Sequence, residues 1–140
     1  QGKIYNEPEV DNSYKWASGG FLSTTDDLTR FGLAHMNNQL VSPEMRNLLW
    51  NEQKTIDGKG TGYGIGWRIF LDEKGHKWIG HGGGSIGGTT QLWLFADNGL
   101  VIAMASNQTE LDYGDLLPRL RTLFAEYPTT KPAIGSAATK

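Results

Sequence analysis

The chain has 140 residues, of which 38% are hydrophobic, and it carries a formal net charge of −2 at pH 7. That length suits about one domain with a buried core, no apolar run could span a bilayer, and the weakly acidic charge offers no basic surface for nucleic acid. Cysteine is absent and the three histidines lack metal-ligand spacing, so we predict no disulfide, no metal site and no cofactor.

The amino-terminal part predicts an extended segment followed by two short helices. Residues 1–15 are polar and aperiodic, so we expect them to be extended. The stretch 23–27 supplies capping hydroxyls and then acids in the first turn, where the helix dipole favours them. His35 falls near the end of this first helix and is expected at the surface. Ser42 as the cap and Pro43 at the first position predict the second helix.

The middle of the chain predicts an antiparallel sheet. Residues 63–71 alternate in hydrophobicity, which predicts a strand with four residues on one face: Ile65, Trp67, Ile69 and Leu71. A turn at 72–75 leads through His76, expected to be exposed, and Trp78 to a strand that reaches His81. Further strands are predicted over 89–95 and 100–105. The last of these is almost entirely apolar, which is typical of a central strand covered on both faces.

The carboxy-terminal part predicts one helix over 112–127 with six apolar residues at helical spacing: Leu116, Leu117, Leu120, Leu123, Phe124 and Tyr127. Arg119 and Arg121 are placed on its solvent side. We expect this helix to cover the face of the sheet that carries Trp67. Residues 128–140 are predicted to be disordered. The fold class is therefore α+β: an antiparallel meander with a carboxy-terminal helix on one face and a small helical insert near the amino terminus.

A glycine-rich stretch over 81–89 joins two of the predicted strands. It holds five glycines together with His81 and Ser85. Glycine loses backbone entropy and packs nothing in a strand, so such a run indicates either a flexible loop or a place where a ligand approaches the backbone. The β-rich flanks favour the second interpretation.

These residues resemble the third active-site box of the serine β-lactamase-like family, which includes class C β-lactamases, D-alanyl-D-alanine carboxypeptidases and esterases. The box here is His81-x-Gly83 followed by 84–87 and an aromatic strand; 17–28 and 100–107 resemble two further family segments, in the family's order. The resemblance implies half of a β-lactamase or transpeptidase-like fold over residues 16–127. It also implies acyl hydrolysis of a β-lactam, a peptide or an ester, and a periplasmic or extracellular location.

The resemblance also implies roles for particular residues. His81 takes the place of the basic residue beside the nucleophile, and the N–H of Gly84 binds the developing oxyanion; these two are the catalytic candidates. Gly82, Gly83 and Ser85 are the substrate-binding candidates. Gly82 stands where the family usually has threonine or serine, which favours a peptide or ester substrate over a β-lactam. Ser85 is not predicted to be the nucleophile, because a strand rather than a helix follows it.

The nucleophile itself is missing. No serine has lysine three residues later, and no tyrosine or serine has asparagine two residues later. We therefore expect a part of a longer enzyme, inactive alone and completed by its amino-terminal half, with a small-molecule or peptide acyl substrate. The alternative is a non-catalytic binding or assembly module with the same sheet. A third hypothesis is a scaffold that forms homodimers through unpaired sheet edges.

Overall fold

The computed structural model describes residue 3 and residues 5–125, and in them it has three helices and four strands. Residues 5–24 contain neither helix nor strand, and the predicted tail at 128–140 lies outside the described residues. The elements follow in the order α1 (Thr25–Met36), α2 (Pro43–Leu49), β1 (Arg68–Leu71), β2 (Lys77–Ser85), β3 (Gly88–Phe95), β4 (Leu100–Ser106) and α3 (Leu116–Ala125). The predicted α+β class is confirmed.

The four strands form one antiparallel sheet in the order β1-β2-β3-β4. Consecutive strands are joined by short turns, so the sheet is the predicted meander. A glycine with positive φ lies in each turn: Gly75 at 81°, Gly87 at 81° and Gly99 at 66°. An L side chain is strained in that region of φ, so glycine allows each tight reversal.

Both amino-terminal helices begin at the predicted caps. Thr24 Oγ1 accepts a hydrogen bond of 3.1 Å from the Asp27 N–H, and Ser42 Oγ accepts one of 3.2 Å from the Met45 N–H. Pro43 occupies the first position of α2, where its missing N–H leaves no helical bond unmade. The cap predictions are confirmed.

Each face of the sheet has its own core, covered by a different helix. On the α1 face the buried residues are Trp50, Trp67, Ile79, Leu92 and Leu94. On the other face they are Trp93, Phe95 and Ile102, against which Leu117 and Leu120 of α3 pack. The prediction that α3 covers Trp67 is wrong, because Trp67 belongs to the α1 core. Trp67 and Trp93 are thus buried in separate cores, and the partly buried Trp78 packs against the second.

The predicted strand over 63–71 is largely a turn. Only Arg68–Leu71 is strand, because Gly62 and Gly66 adopt φ of 69° and 77° and reverse the chain between them. The reversal buries Trp67 but leaves Ile65 48% exposed, so the expected single apolar face does not form.

β4 lies at the edge of the sheet in the described part of the chain, and not at its centre as predicted. Helix α1 contacts it on one face and α3 contacts it on the other. Its apolar sequence is thus explained by cover on both faces, while the backbone groups along its outer edge have no neighbouring strand among the described residues.

Arg121 is not on the solvent side of α3, as the helical spacing had predicted. Its side chain is 15% exposed, donates to Asp72 Oδ2 at 2.6 Å and lies over the ring of Trp78. His76 Nδ1 contacts the same carboxylate oxygen at 2.9 Å, and its side chain is 40% exposed. Burial opposes ionisation of Asp72, but the hydrogen bonds of His76 and Lys74 hold the pKa of this carboxyl well below its usual range. This ion pair ties α3 to the β1–β2 turn.

His35 is buried, contrary to the prediction that it lies at the surface. It is 7% exposed, and its ring centroid lies 5.1 Å from those of Phe31 and Trp67. Its Nδ1 has no hydrogen-bond partner among the described residues. Burial lowers the pKa of this imidazole, because the aromatic surroundings disfavour the charged form.

We expect the free energy of unfolding to fall as the pH decreases through about 6.5, where the histidine of the unfolded chain takes up a proton. The folded state binds that proton only at lower pH. Protonation near pH 6.5 therefore stabilises the unfolded state relative to the folded state. Urea denaturation at pH 8 and at pH 5.5 measures the loss. His35→Phe keeps the aromatic contact without a titrating group and should lose less over the same interval. Equal losses in the two proteins would show that His35 does not set this dependence.

Candidate active site

The site predicted around the glycine run lies on the outer edge of β2. Strand β1 pairs with β2 only as far as Arg68 opposite Gly80, whereas β3 pairs with β2 from Ile79 to Ser85. The outer edge of β2 is therefore unpaired from residue 82 to residue 85 within the described chain. Gly82, Gly83 and Gly84 are strand residues and do not form a flexible loop, whereas Gly87 lies in the turn between β2 and β3. The flexible-loop interpretation of these three residues is therefore wrong.

The N–H groups of Gly82 and Gly84 point outward along this free edge. A two-residue turn joins Ser85 to Gly88, so these two residues form a hydrogen-bonded pair and successive β2 residues alternate in direction. The pairing of β2 with β1 agrees with this alternation. Ile69 N–H donates to Gly62 O at 2.8 Å, away from β2, so Arg68 and Gly80 are the hydrogen-bonded pair there. Two donors without a strand partner thus face the position where a substrate would lie.

His81 lies beside these donors and is exposed. Its Nδ1 lies 2.5 Å from the carbonyl oxygen of Gly82, which turns the ring toward the free edge. Its Nε2 lies 3.5 Å from Tyr63 Oη, and Arg68 Nε donates to the same hydroxyl at 2.5 Å. The site therefore contains an imidazole, a phenol and a guanidinium in one chain of contacts.

Gly82 carries no side chain because Gln91 fills the space. A Cβ at Gly82 would lie 2.5 Å from Gln91 Nε2 and 2.7 Å from Gln91 Oε1. Trp93 Nε1 donates to Gln91 Oε1 at 2.9 Å, which fixes the carboxamide over the glycine. A threonine or serine at position 82 would have to displace this amide.

The remaining candidates differ in their surroundings. A Cβ at Gly83 would meet Thr90 Oγ1 at 3.5 Å, an ordinary contact, and one at Gly84 would meet nothing within 4 Å. Neighbouring side chains therefore do not explain glycine at position 84. The Oγ of Ser85 is buried without a hydrogen-bond partner among the described residues, so it is not presented at the open edge. Gly84 offers a free N–H and open space.

The cavity, the metal-ligating side chains and the helices of the described residues do not indicate a second site. A cavity of about 820 Å³ lies near Arg46, Trp50 and Lys77, and His81 is not among its lining residues. Within the described ranges, no group of three or more metal-ligating side chains is close enough to hold an ion. The helices described there are too short or too polar to cross a bilayer.

Comparison with known proteins decides the family. The family model described as Beta-lactamase matches residues 2–126. The chain belongs to the β-lactamase family. Relatives of this family include the mitochondrial serine beta-lactamase-like protein LACTB of Mus musculus and of Homo sapiens, each 32% identical over 68% of this chain and 22% of the relative. The chain thus spans about a fifth of their length.

A solved structure is similar to this chain in fold. The D-stereospecific amidohydrolase from a Streptomyces species is 25% identical, with a TM-score of 0.51, over 61% of this chain and 25% of that one. The predicted family resemblance and the β-lactamase or transpeptidase-like fold are thereby confirmed. The roles of individual site residues are not tested by this likeness and stay predictions.

Two groups at this β-lactamase-family site were not anticipated from the sequence. The Tyr63–Arg68 contact could not be predicted while 63–71 was interpreted as one strand. Gly64 and Gly66 within this range were the sequence signal of a turn. The contact of Gln91 with Gly82 could not be predicted, because it depends on which residues of β2 and β3 lie opposite each other. Only strand register provides that information.

Proposed function

We propose that this chain forms the substrate-facing strand of a serine acyl hydrolase. The observation that carries the proposal is the free edge of β2, where the outward N–H of Gly84 lies three residues from the imidazole of His81. Membership of the β-lactamase family supports a hydrolase of this type. The nucleophile would come from a part of the enzyme outside this chain, since Ser-x-x-Lys does not occur in it.

The proposed reaction is acyl transfer to that serine, followed by hydrolysis. As the serine oxygen attacks the carbonyl carbon, negative charge develops on the carbonyl oxygen, and the Gly84 N–H donates to it. A backbone donor held in a strand needs no reorganisation when the charge appears, which suits stabilisation of a transition state. Gly82, with its outward N–H, would hold the substrate backbone along the edge, as an added strand is held. Gly83, whose own backbone groups pair with Thr90 of β3, would allow the substrate to approach the strand closely.

The proposed substrate is an amide or ester rather than a β-lactam. Gly82 lacks the hydroxyl that the family usually places there, and the Gln91 amide occupies the space instead. The solved relative is named as a D-stereospecific amidohydrolase, which supports an amide or ester of a D-amino acid as one test substrate.

The rest of the enzyme would pack on surfaces that are open here. Phe70 and Leu71 at the β1 end of the sheet are 48% and 69% exposed. The outer edge of β4 has no neighbouring strand among the described residues, and its apolar sequence suits a central position. A strand and helices from the amino-terminal half would cover these sites.

A second candidate function is a binding or assembly module without catalysis. The missing Ser-x-x-Lys and the buried Ser85 Oγ favour it for the isolated chain. The two candidates differ in one respect: only the first needs a nucleophile in the same gene product.

The test compares the purified chain with the product of its complete reading frame. Both are incubated with a nitrophenyl ester, a D-amino acid amide and a chromogenic cephalosporin, and with a fluorophosphonate probe that labels activated serines. We expect no turnover or labelling of the chain alone. We expect ester or amide hydrolysis and one labelled serine in the complete protein, lost when that serine is changed to alanine.

Two results would contradict the proposal. Turnover by the chain alone that disappears in Ser85→Ala would place the nucleophile in the glycine run. A complete protein that binds the acyl compounds without hydrolysing them, and without labelling, would establish the binding module instead.

A further inference from the structure

Tyr63 and Arg68 are held together by a tight reversal of the chain. The Ile69 N–H donates to Gly62 O and the Gly64 N–H donates to Trp67 O, both at 2.8 Å, which places Tyr63 directly opposite Arg68. The guanidinium carbon of Arg68 lies 5.5 Å from the centroid of the tyrosine ring. The reversal thus places a hydroxyl with a cationic donor beside His81, midway along β2.

The hydrogen bonds in this group can run in one direction only. The carbonyl oxygen of Gly82 can only accept, so His81 Nδ1 must carry the proton in that contact. A neutral imidazole has one N–H, which leaves Nε2 as an acceptor. The guanidinium of Arg68 can only donate, so Tyr63 Oη accepts from it and keeps its own proton for another partner. Among the described residues that partner is His81 Nε2, at 3.5 Å.

We propose that Tyr63, oriented by Arg68, is a positioning residue that fixes His81 as its Nδ1–H tautomer at the free edge of β2. The chain of donors runs from Arg68 to Tyr63, then to His81, and ends on Gly82 O. Exposed imidazoles favour the Nε2–H tautomer, so this arrangement reverses the usual preference. The effect on catalysis rests on the proposed function; the tautomer does not.

The separation of 3.5 Å defines what Tyr63 does. It is long for an O–H···N bond, so the contact directs the imidazole without holding it rigidly. The two rings meet at 62° with centroids 5.8 Å apart, so the phenol edge also limits rotation of the imidazole. Hydrogen bonds at catalytic groups commonly shorten when substrate binds and water leaves. Tyr63→Phe removes the hydroxyl and keeps the ring, which separates the two effects.

The first experiment records the ¹⁵N spectrum of the His81 ring in the chain itself at about pH 9, where imidazole side chains are neutral. We expect the Nδ1–H tautomer in the wild-type chain and a shift toward Nε2–H in Tyr63→Phe. Arg68→Met should shift the tautomer in the same direction, because the hydroxyl loses the donor that orients it. Tyr14→Phe, at a tyrosine that is 75% exposed, should leave the tautomer unchanged. Backbone amide dispersion confirms that each variant is folded.

The second experiment measures kcat and KM of the complete protein. Tyr63→Phe should lower kcat by roughly 3–10-fold, the rate equivalent of one neutral hydrogen bond, with little change in KM. A wild-type Nε2–H tautomer, or a tautomer unchanged in Tyr63→Phe, would overturn the inference whatever the activity. A tautomer that shifts as expected without any change in kcat would support the positioning of His81 and contradict its role in the proposed function.

Discussion

We expect that replacing Gly84 with proline lowers kcat of the complete protein by about 10²–10³, because proline has no N–H to donate to the proposed oxyanion. The structure makes this variant informative. The Gly84 N–H points to the unpaired edge of β2, so its removal costs no hydrogen bond of the sheet. Proline is tolerated at such positions, which separates loss of the donor from loss of the fold. Stopped-flow or steady-state measurement of kcat, with circular dichroism of each protein, checks the result.

The matched control is Gly84→Ala. It adds a carbon where a Cβ meets nothing within 4 Å, and it keeps the N–H. Its kcat should fall far less than that of the proline variant. If the two variants lose activity equally, the cause is bulk at the edge and not the missing donor. If the folded proline variant retains the wild-type rate, Gly84 has no place in the oxyanion hole.

Gly80→Ala should lower the free energy of unfolding by about 2–3 kcal/mol, as overpacking of a filled core does. A Cβ there would strike the carbonyl oxygen of Leu92 and would lie 2.5 Å from Cε3 of the Trp93 ring. The first obstacle is backbone in the neighbouring strand and the second is a buried ring, so neither can move without disturbing the sheet. Urea denaturation at one pH measures the change.

Gly84→Ala again provides the control, since it lies on the same strand and the same side of the backbone pleat. Its added methyl has open space, and alanine restricts the unfolded chain more than glycine does, so its stability should change little or increase. Equal destabilisation by the two alanines would mean that any side chain in this strand is harmful. The contrast expected here instead assigns different causes to two glycines four residues apart.

The glycines of β2 thus serve two purposes at once. Gly80 and Gly82 make room for side chains of β3 that cross over β2, namely Trp93 and Gln91. At Gly84 the described residues leave space and an outward N–H. Packing explains the first two glycines, whereas at the third the outward N–H is the group that a substrate along the strand would use.

Local signals in the sequence determined much of the fold. The caps at Thr24 and Ser42 act within four residues, and so do the turn glycines at 75 and 99; such features can be predicted without knowledge of the tertiary structure. The long β-rich runs determined the antiparallel meander, because short turns between consecutive strands leave few other topologies. The box beginning at His81 also indicated the family, which the comparisons confirmed.

Tertiary structure alone decided which side each residue faces and what it meets there. Helical spacing placed His35 and Arg121 at the surface, but the aromatic rings of the α1 core enclose the first and Asp72 binds the second. Periodicity cannot report such partners, because they come from distant parts of the chain. The same holds for Tyr63 beside His81, 18 residues away, which depends on the reversal at Gly66 and on the register of β1 with β2. The sequence determined that a glycine-rich segment follows a histidine. Strand pairing decided that this segment has a free edge, because the pairing of β1 with β2 does not extend beyond Arg68 opposite Gly80.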